Sequence, residues 1–215
     1  MKVAERAQKI KSLLDKNYPM ASCTLNHKNV WELLCATVLS AQCTDARVNL
    51  VTPFLFKRYK NPKALSLAPQ EDIEEIIRSC GFYHSKAKNL KGIAIAISRD
   101  YNGKVPAEMI DLLKLPGVAR KTANVVLSTG YGKNEGFVVD THVTRLSQRL
   151  GLTKQTEPSE IEKVLMRLFP RASWGALSHQ LIAHGRAVCT AHNPKCKICP
   201  CREVCGSAKK LSEKE

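Results

Sequence analysis

The sequence predicts an all-α protein, and three features predict it. Apolar residues recur at three- and four-residue spacing nearly throughout. Alternating β-branched runs are almost absent; "GFVVD" (136–140) is the only short candidate, and it reads as an extended connector. Proline, glycine and capping residues fall where helices of ordinary length should begin and end.

Each element follows from that pattern. "MKVAERAQKIKSLLDKNYP" is an amphipathic helix ending before Pro19. "VWELLCATVLSAQ" carries Trp31, Leu34, Cys35 and Val38 on one face. "PQEDIEEIIRSCG" sets Ile73, Ile76, Ile77 and Cys80 at helical spacing, with acidic residues in the first turn and Gly81 as the stop. "SKAKNLKGIAIAISRDY" starts on a capping serine, Ser85, and ends at the Asn102-Gly103 turn. "PAEMIDLLKL" starts at Pro106, a favoured first helical position. Leu115-Pro116-Gly117-Val118 then makes a tight turn before a helix from about Val118 to Ser128, stopped by Gly130. Asp140 precedes an amphipathic helix carrying Leu146 and Leu150. "EPSEIEKVLMRLFP" ends at Pro170, and "WGALSHQLIAHGRAVC" runs into a cysteine cluster. The polar tail "SAKKLSEKE" is expected to fray.

Charge narrows the function. The 215 residues hold 34 basic and 19 acidic side chains, a formal net charge of +15. Such an excess points to a polyanion: nucleic acid first, an anionic membrane surface second. No apolar run approaches the length of a membrane span, and the N-terminal stretch lacks the continuous apolar core and cleavage site of a signal peptide. A cytoplasmic, monomeric protein is expected. Nine cysteines fit no spread-out secreted framework, because five of them crowd into residues 189–205.

Within that crowd, Cys189, Cys196, Cys199 and Cys205 have the spacing C-x6-C-x2-C-x5-C. Four thiolates so close bind either tetrahedral zinc or an iron–sulfur cluster. Four-cysteine zinc sites usually show two C-x2-C knuckles. The single one here favours a 4Fe–4S cluster. Cys201, inside the loop, is either a substitute ligand or idle. Lys195, Lys197 and Arg202 add positive charge to the loop.

"LKLPGVARKTANVVL" (113–127) raises a chemical question, because it sets Lys121 about one turn past the tight turn. The first N–H groups of a helix lack internal partners and make an anion site suited to a DNA phosphate. Lys121 is then either a solvated or phosphate-contacting amine, or a nucleophile. Partial desolvation and the positive helix end would favour a neutral amine able to attack a sugar C1′ and form a Schiff base. Asp140 is in one reading an N-cap. In another it is a carboxylate that stabilises charge on the sugar or helps move a proton. The two are compatible, since a capping aspartate is rigidly held.

The helix–turn–helix at 113–127 resembles the helix-hairpin-helix module of sequence-nonspecific DNA binders, with Leu115, Gly117, Val118, Ala119 and Arg120 as its DNA-facing residues. Six ordered stretches then resemble the endonuclease III family of DNA glycosylases with abasic-site lyase activity. They are "LSAQCTD", "GFYHSKA", "LPGVARKTANVVL", "VVDTHVTRL", "HGRAVC" and the cysteine spacing. The resemblance implies two helical lobes: a six-helix barrel over residues 23–133, and a 4Fe–4S lobe of residues 1–22 with 134–215. It places double-stranded DNA in the cleft between them, with the damaged base flipped out. It implies Lys121 as the nucleophile in base release and β-elimination, Asp140 as its carboxylate partner, and oxidised pyrimidines as substrates. It implies that Gln42 fills the gap left by the flipped nucleotide and that Phe82 is a wedge in the opposing strand; their plain alternatives are a surface amide and a core aromatic. His142 and His184 pack or hydrogen-bond. Three residues depart from the family: Ala119 stands where glycine is usual, Cys43 replaces a small or hydroxylated residue, and Phe82 is bulkier than the usual aliphatic. The competing functions are a monofunctional, water-using glycosylase and a noncatalytic iron–sulfur DNA-binding module.

Overall fold

Helix signals dominate the computed structural model, which describes residues 1–208 and has no strand among them. The helices are α1 (Val3–Asn17), α2 (Val30–Leu39), α3 (Asp45–Arg58), α4 (Pro62–Ser66), α5 (Gln70–Ile77) and α6 (Tyr83–Asp100). They continue with α7 (Met109–Leu112), α8 (Arg120–Val125), α9 (Thr141–Arg149), α10 (Pro158–Leu168) and α11 (Trp174–Ala187). The chain divides into two compact units, Cys23–Glu135 and Met1–Ser22 with Gly136 onward. Most of the polar tail lies outside the described residues.

The first unit is built round α2. Asn29 caps it by accepting the Glu32 N–H at 3.0 Å. Beyond the four-residue face expected, Leu33, Ala36, Thr37 and Leu39 are also buried, so α2 is enclosed on all sides. Each fully buried Leu there is worth ~1.5–3 kcal/mol, which outweighs the cost of Thr37, whose hydroxyl is satisfied by the Leu33 carbonyl at 2.7 Å. α6 packs against α2, and α5 and α6 add Ile73, Ile77, Leu90, Ile93 and Ile97 to the same core. The second unit has its own core, where α1, α9, α10 and α11 bury Ile10, Leu14, Val143, Leu146, Ile161, Leu165 and Leu181. "GFVVD" is extended connector, as its sequence reads, with Phe137 and Val139 pinned in this second core and the Val138 N–H donated to Ser178 Oγ.

Three boundaries differ from expectation, two for a local reason and one through bonds from distant residues. Helix α6 starts at Tyr83, before Ser85, because Phe82 turns left-handed (φ 48°) and acts as the cap position; Ser85 Oγ instead donates to the Phe82 carbonyl at 2.9 Å. Pro106 does not open a helix. The Val105 carbonyl accepts from the Tyr131 hydroxyl and the Ala107 carbonyl from Lys133 Nζ, so side chains take acceptors that a helix ladder would need. Helix α8 begins at Arg120, two residues late, since the Val118 N–H is spent closing the turn on the Leu115 carbonyl at 3.2 Å. It then widens into a π-helical turn, Val126–Gly130, a feature frequent near functional sites. A Cβ on Gly130 would lie 3.0 Å from Val30 Cγ1, so a side chain there would press on α2.

Candidate active site and candidate metal centre

The hairpin is a type II turn in all but name. Pro116 sits at the second position and Gly117 at the third with φ +70°, where only glycine is comfortable. A Cβ on Gly117 would also fall 2.3 Å from Asn89 Nδ2 on α6. Gly117→Ala is therefore expected to cost ~1–3 kcal/mol, read as a lowered denaturation midpoint; an unchanged midpoint would mean that the turn tolerates a side chain. Leu115 and Val118 are buried in the core, so their side chains anchor the hairpin and face away from solvent. Ala119 is the α8 cap position and makes no side-chain capping bond. Its methyl cannot compete with an external anion for the N–H groups of the first turn.

Lys121 follows as the second residue of α8. It is exposed, and its amine has no ion-pair or hydrogen-bond partner among the described residues. The partial desolvation expected of it is thus not supplied by the protein's own packing. Arg120 beside it is exposed as well.

Asp140 belongs to the other unit. Its Oδ1 accepts the Val143 N–H at 2.8 Å, capping α9. Its second oxygen accepts no hydrogen bond among the described residues. The carboxylate is therefore held through one oxygen and left available through the other. His142, the next residue but one, is kept below its usual pKa by burial, against the pull of Asp140, and contacts Arg145 Nη2 at 3.1 Å. It is a packed histidine, in keeping with its sequence setting.

Gln42 and Phe82 share an unusual backbone. Both are non-glycine residues at positive φ, 51° and 48°, and both are exposed. Phe82 is 66% exposed, which excludes the core-aromatic alternative. Left-handed backbone and a solvated ring each cost free energy, and such costs gather at binding sites.

The four spaced cysteines come together. Cys189, Cys196, Cys199 and Cys205 all line one cavity in the second unit, with Leu150, His184 and Val188 among the apolar and aromatic neighbours. Short helical turns at Cys196–Ile198 and Arg202–Val204 fold the loop round it. Among the described residues no three His, Cys, Asp or Glu side chains converge as a single metal ion requires. Polar groups around the sulfurs fit an anionic centre. Arg149 Nη1 reaches Cys189 Sγ at 3.5 Å, and His184 Nε2 reaches Cys199 Sγ at 3.5 Å. Cys201, helped by His184 and opposed by burial, holds the pKa of Cys199 down at about 4. Cys201 itself is fully buried and does not line the cavity.

His184, Arg145 and Arg149 were not assigned to this centre from sequence. His184 lies one helical turn before Cys189 on α11, and its other nitrogen meets the Tyr18 hydroxyl at 2.8 Å. Arg149 Nη1 also binds the Thr190 carbonyl at 2.6 Å, and Arg145 Nη2 the Cys189 carbonyl at 2.9 Å. Basic residues late in α9 were readable only as dipole complements; that they clamp a loop some 40 residues away is tertiary information.

Comparisons with known proteins agree with this geometry. Residues 35–171 match the family model described as "HhH-GPD superfamily base excision DNA repair protein". Endonuclease III from a Synechocystis species is 52% identical over 204 residues, covering 95% of this chain and 93% of its own. Among solved structures, one titled as a non-covalent endonuclease III–DNA complex superposes with TM-score 0.94 at 42% identity, covering 99% of this chain and 100% of that one. Another, of a trapped endonuclease III–DNA covalent intermediate, has TM-score 0.90 and 44% identity, covering 96% and 98%. A helix-hairpin-helix carrying a free lysine, a capped aspartate ahead of α9, and this breadth of likeness lead to one conclusion: the chain belongs to the endonuclease III family of the HhH-GPD superfamily of base excision DNA repair proteins.

Proposed function

We propose that the chain is a bifunctional DNA glycosylase and abasic-site lyase acting on oxidised pyrimidines in duplex DNA. The observation that carries this reading is the unpartnered amine of Lys121, one residue into a helix that a glycine hairpin aims at phosphate. The net charge of +15 supports the polyanionic partner.

In the proposed reaction Lys121 Nζ attacks C1′ as the bond from C1′ to the base breaks. The base leaves with the electron pair of that bond and gains a proton. The sugar ring opens to give a Schiff base between Nζ and C1′. Loss of a C2′ proton then drives β-elimination, which expels the 3′ phosphate, and water releases the amine. Bound DNA would exclude the water that now surrounds Lys121, supplying the desolvation the free protein lacks. Asp140, fixed through Oδ1, would stabilise positive charge at the sugar or carry a proton through its open oxygen. Gln42 and Phe82 would enter the space around the flipped nucleotide, and Leu115 to Arg120 would hold phosphate. Cys189, Cys196, Cys199 and Cys205 would hold a 4Fe–4S cluster, whose contribution when bound is to tie the loop that presents Lys195, Lys197 and Arg202.

Borohydride reduction during incubation with an abasic duplex tests the reading. A covalent protein–DNA adduct is expected; strand cleavage without an adduct would replace the Schiff base with another mechanism. Asp140→Asn separates the two roles of the carboxylate. Asparagine caps about as well as aspartate, whereas alanine loses ~1 kcal/mol. The asparagine variant should keep its thermal midpoint and release bases about 10²-fold or more slowly, the usual scale for one positioned catalytic group. Normal base release in the asparagine variant, with stability lost only in Asp140→Ala, would leave Asp140 a cap alone.

A further inference from the structure

The turn that presents Phe82 is held by a buried lysine. It joins the helical turn Arg78–Cys80 to α6 and contains two consecutive residues at positive φ, Gly81 at 60° and Phe82 at 48°. Glycine adopts such backbone freely; phenylalanine does not, so the conformation of Phe82 needs support from its surroundings. Lys86, one turn into α6, supplies it twice. Its backbone N–H donates to the Phe82 carbonyl at 3.1 Å, and its Nζ donates to the Cys80 carbonyl at 2.5 Å. The carbonyls on either side of the positive-φ pair thus end on one residue. On the outer side of the turn, His84 Nδ1 meets Glu74 Oε2 on α5 at 2.6 Å, and Gln70 Nε2 donates to Glu74 Oε1 at 2.7 Å. His84 is exposed, and exposed pairs of this kind contribute little. The Lys86 clasp is the buried one.

Lys86 is 4% exposed, and the Cys80 carbonyl is its side-chain acceptor among the described residues. An ammonium carries three donors and is costly to take out of water with so few partners. Packing alone does not account for it, since methionine fills a similar volume without the charge. What the amine adds is a donor aimed at a main-chain acceptor in a buried place. We propose that Lys86 is a positioning residue that fixes the Gly81–Phe82 turn and so holds the Phe82 ring out for insertion into damaged duplex. The proposal rests on the role proposed above for Phe82. A ring presented on a rigid turn enters the base stack without first being ordered, which strengthens binding wherever insertion occurs. Without the amine, the Cys80 carbonyl loses this donor where water cannot replace it, and the turn is free to relax toward ordinary negative φ, carrying the ring away. Undamaged duplex, whose stack offers no gap, does not register the change.

The test uses the full chain and a duplex carrying a tetrahydrofuran abasic analogue, with 2-aminopurine beside the orphaned base of the opposing strand. Stacking quenches 2-aminopurine, so insertion of a wedge brightens it. Lys86→Met keeps the buried volume and removes the donor. It is expected to bind this duplex about tenfold more weakly, to lose the fluorescence rise, and to bind undamaged duplex as the parent does. Phe82→Ala should show the same losses, and the double variant no further loss, because both changes remove one contact. Thermal midpoints are measured alongside, and Lys86→Gln, one bond shorter than lysine, repeats the test if the methionine variant does not fold. Parent-like affinity with a full fluorescence rise in the Lys86 variant, whatever its midpoint, overturns the proposal, and so do losses that add in the double variant. Parent-like behaviour of Phe82→Ala overturns instead the wedge reading beneath it.

Discussion

Lys121→Ala is expected to end borohydride trapping and to lower strand cleavage on abasic duplex by on the order of 10³-fold or more, the scale seen when a nucleophile is removed from a working site. Folding should be untouched. The side chain is exposed and unpartnered, so its loss removes no packing and no ion pair. Exposed substitutions of this kind usually change stability by no more than about 0.5 kcal/mol, and alanine is a good helix residue. Lys121→Arg divides the two readings of this position. A guanidinium keeps the positive charge for phosphate but never deprotonates, so it cannot attack C1′. Normal affinity without trapping would assign Lys121 to chemistry. Full trapping in the alanine variant would remove Lys121 from the reaction.

The second large effect is expected at the cysteine loop. Cys189 closes the C-terminal end of α11, borders the second core, and takes Arg149 Nη1 on its sulfur. Without that sulfur, the remaining three cannot complete a four-thiolate set. Cys189→Ala should therefore yield colourless protein where the parent is brown. It should destabilise the chain by about 4 kcal/mol or more, the contribution of a group bound a thousandfold above its Kd. Visible absorbance, iron analysis and denaturation curves measure these together. Cys201→Ala is the matched control: Cys201 is buried but outside the cavity, so the colour should remain. A colourless, zinc-containing parent protein would overturn the iron–sulfur assignment. Loss of colour in Cys201→Ala would make that residue a ligand.

Much of the candidate site was legible because its residues are local. Lys121, the hairpin and Ala119 fall within seven residues of one another, and turn chemistry at Pro116-Gly117 dictates their arrangement. Asp140 was readable as a cap from residue type and position alone, and its bond to Val143 is such a cap. Cysteine spacing marked a metal-binding loop for the same reason. Where expectations slipped, long-range bonds were responsible in one case and neighbouring residues in the others. Tyr131 and Lys133 take the carbonyls of Val105 and Ala107 and suppress the helix expected at Pro106. Ser85 loses its capping role because Gly81 and Phe82 turn the chain before it.

By itself, then, the chain's order of residues determined an all-α architecture, the hairpin with its lysine, the capped aspartate and the four-cysteine loop. These depend on periodicity and on groups a few residues apart. Tertiary structure alone decided that α2 is buried on every side, that Phe82 stands in solvent, and that Arg149 and His184 reach the cysteine sulfurs. The physical reason is the same in each case. Which surfaces lose water and which distant groups pair is a property of the packed chain, and no short window of sequence contains it.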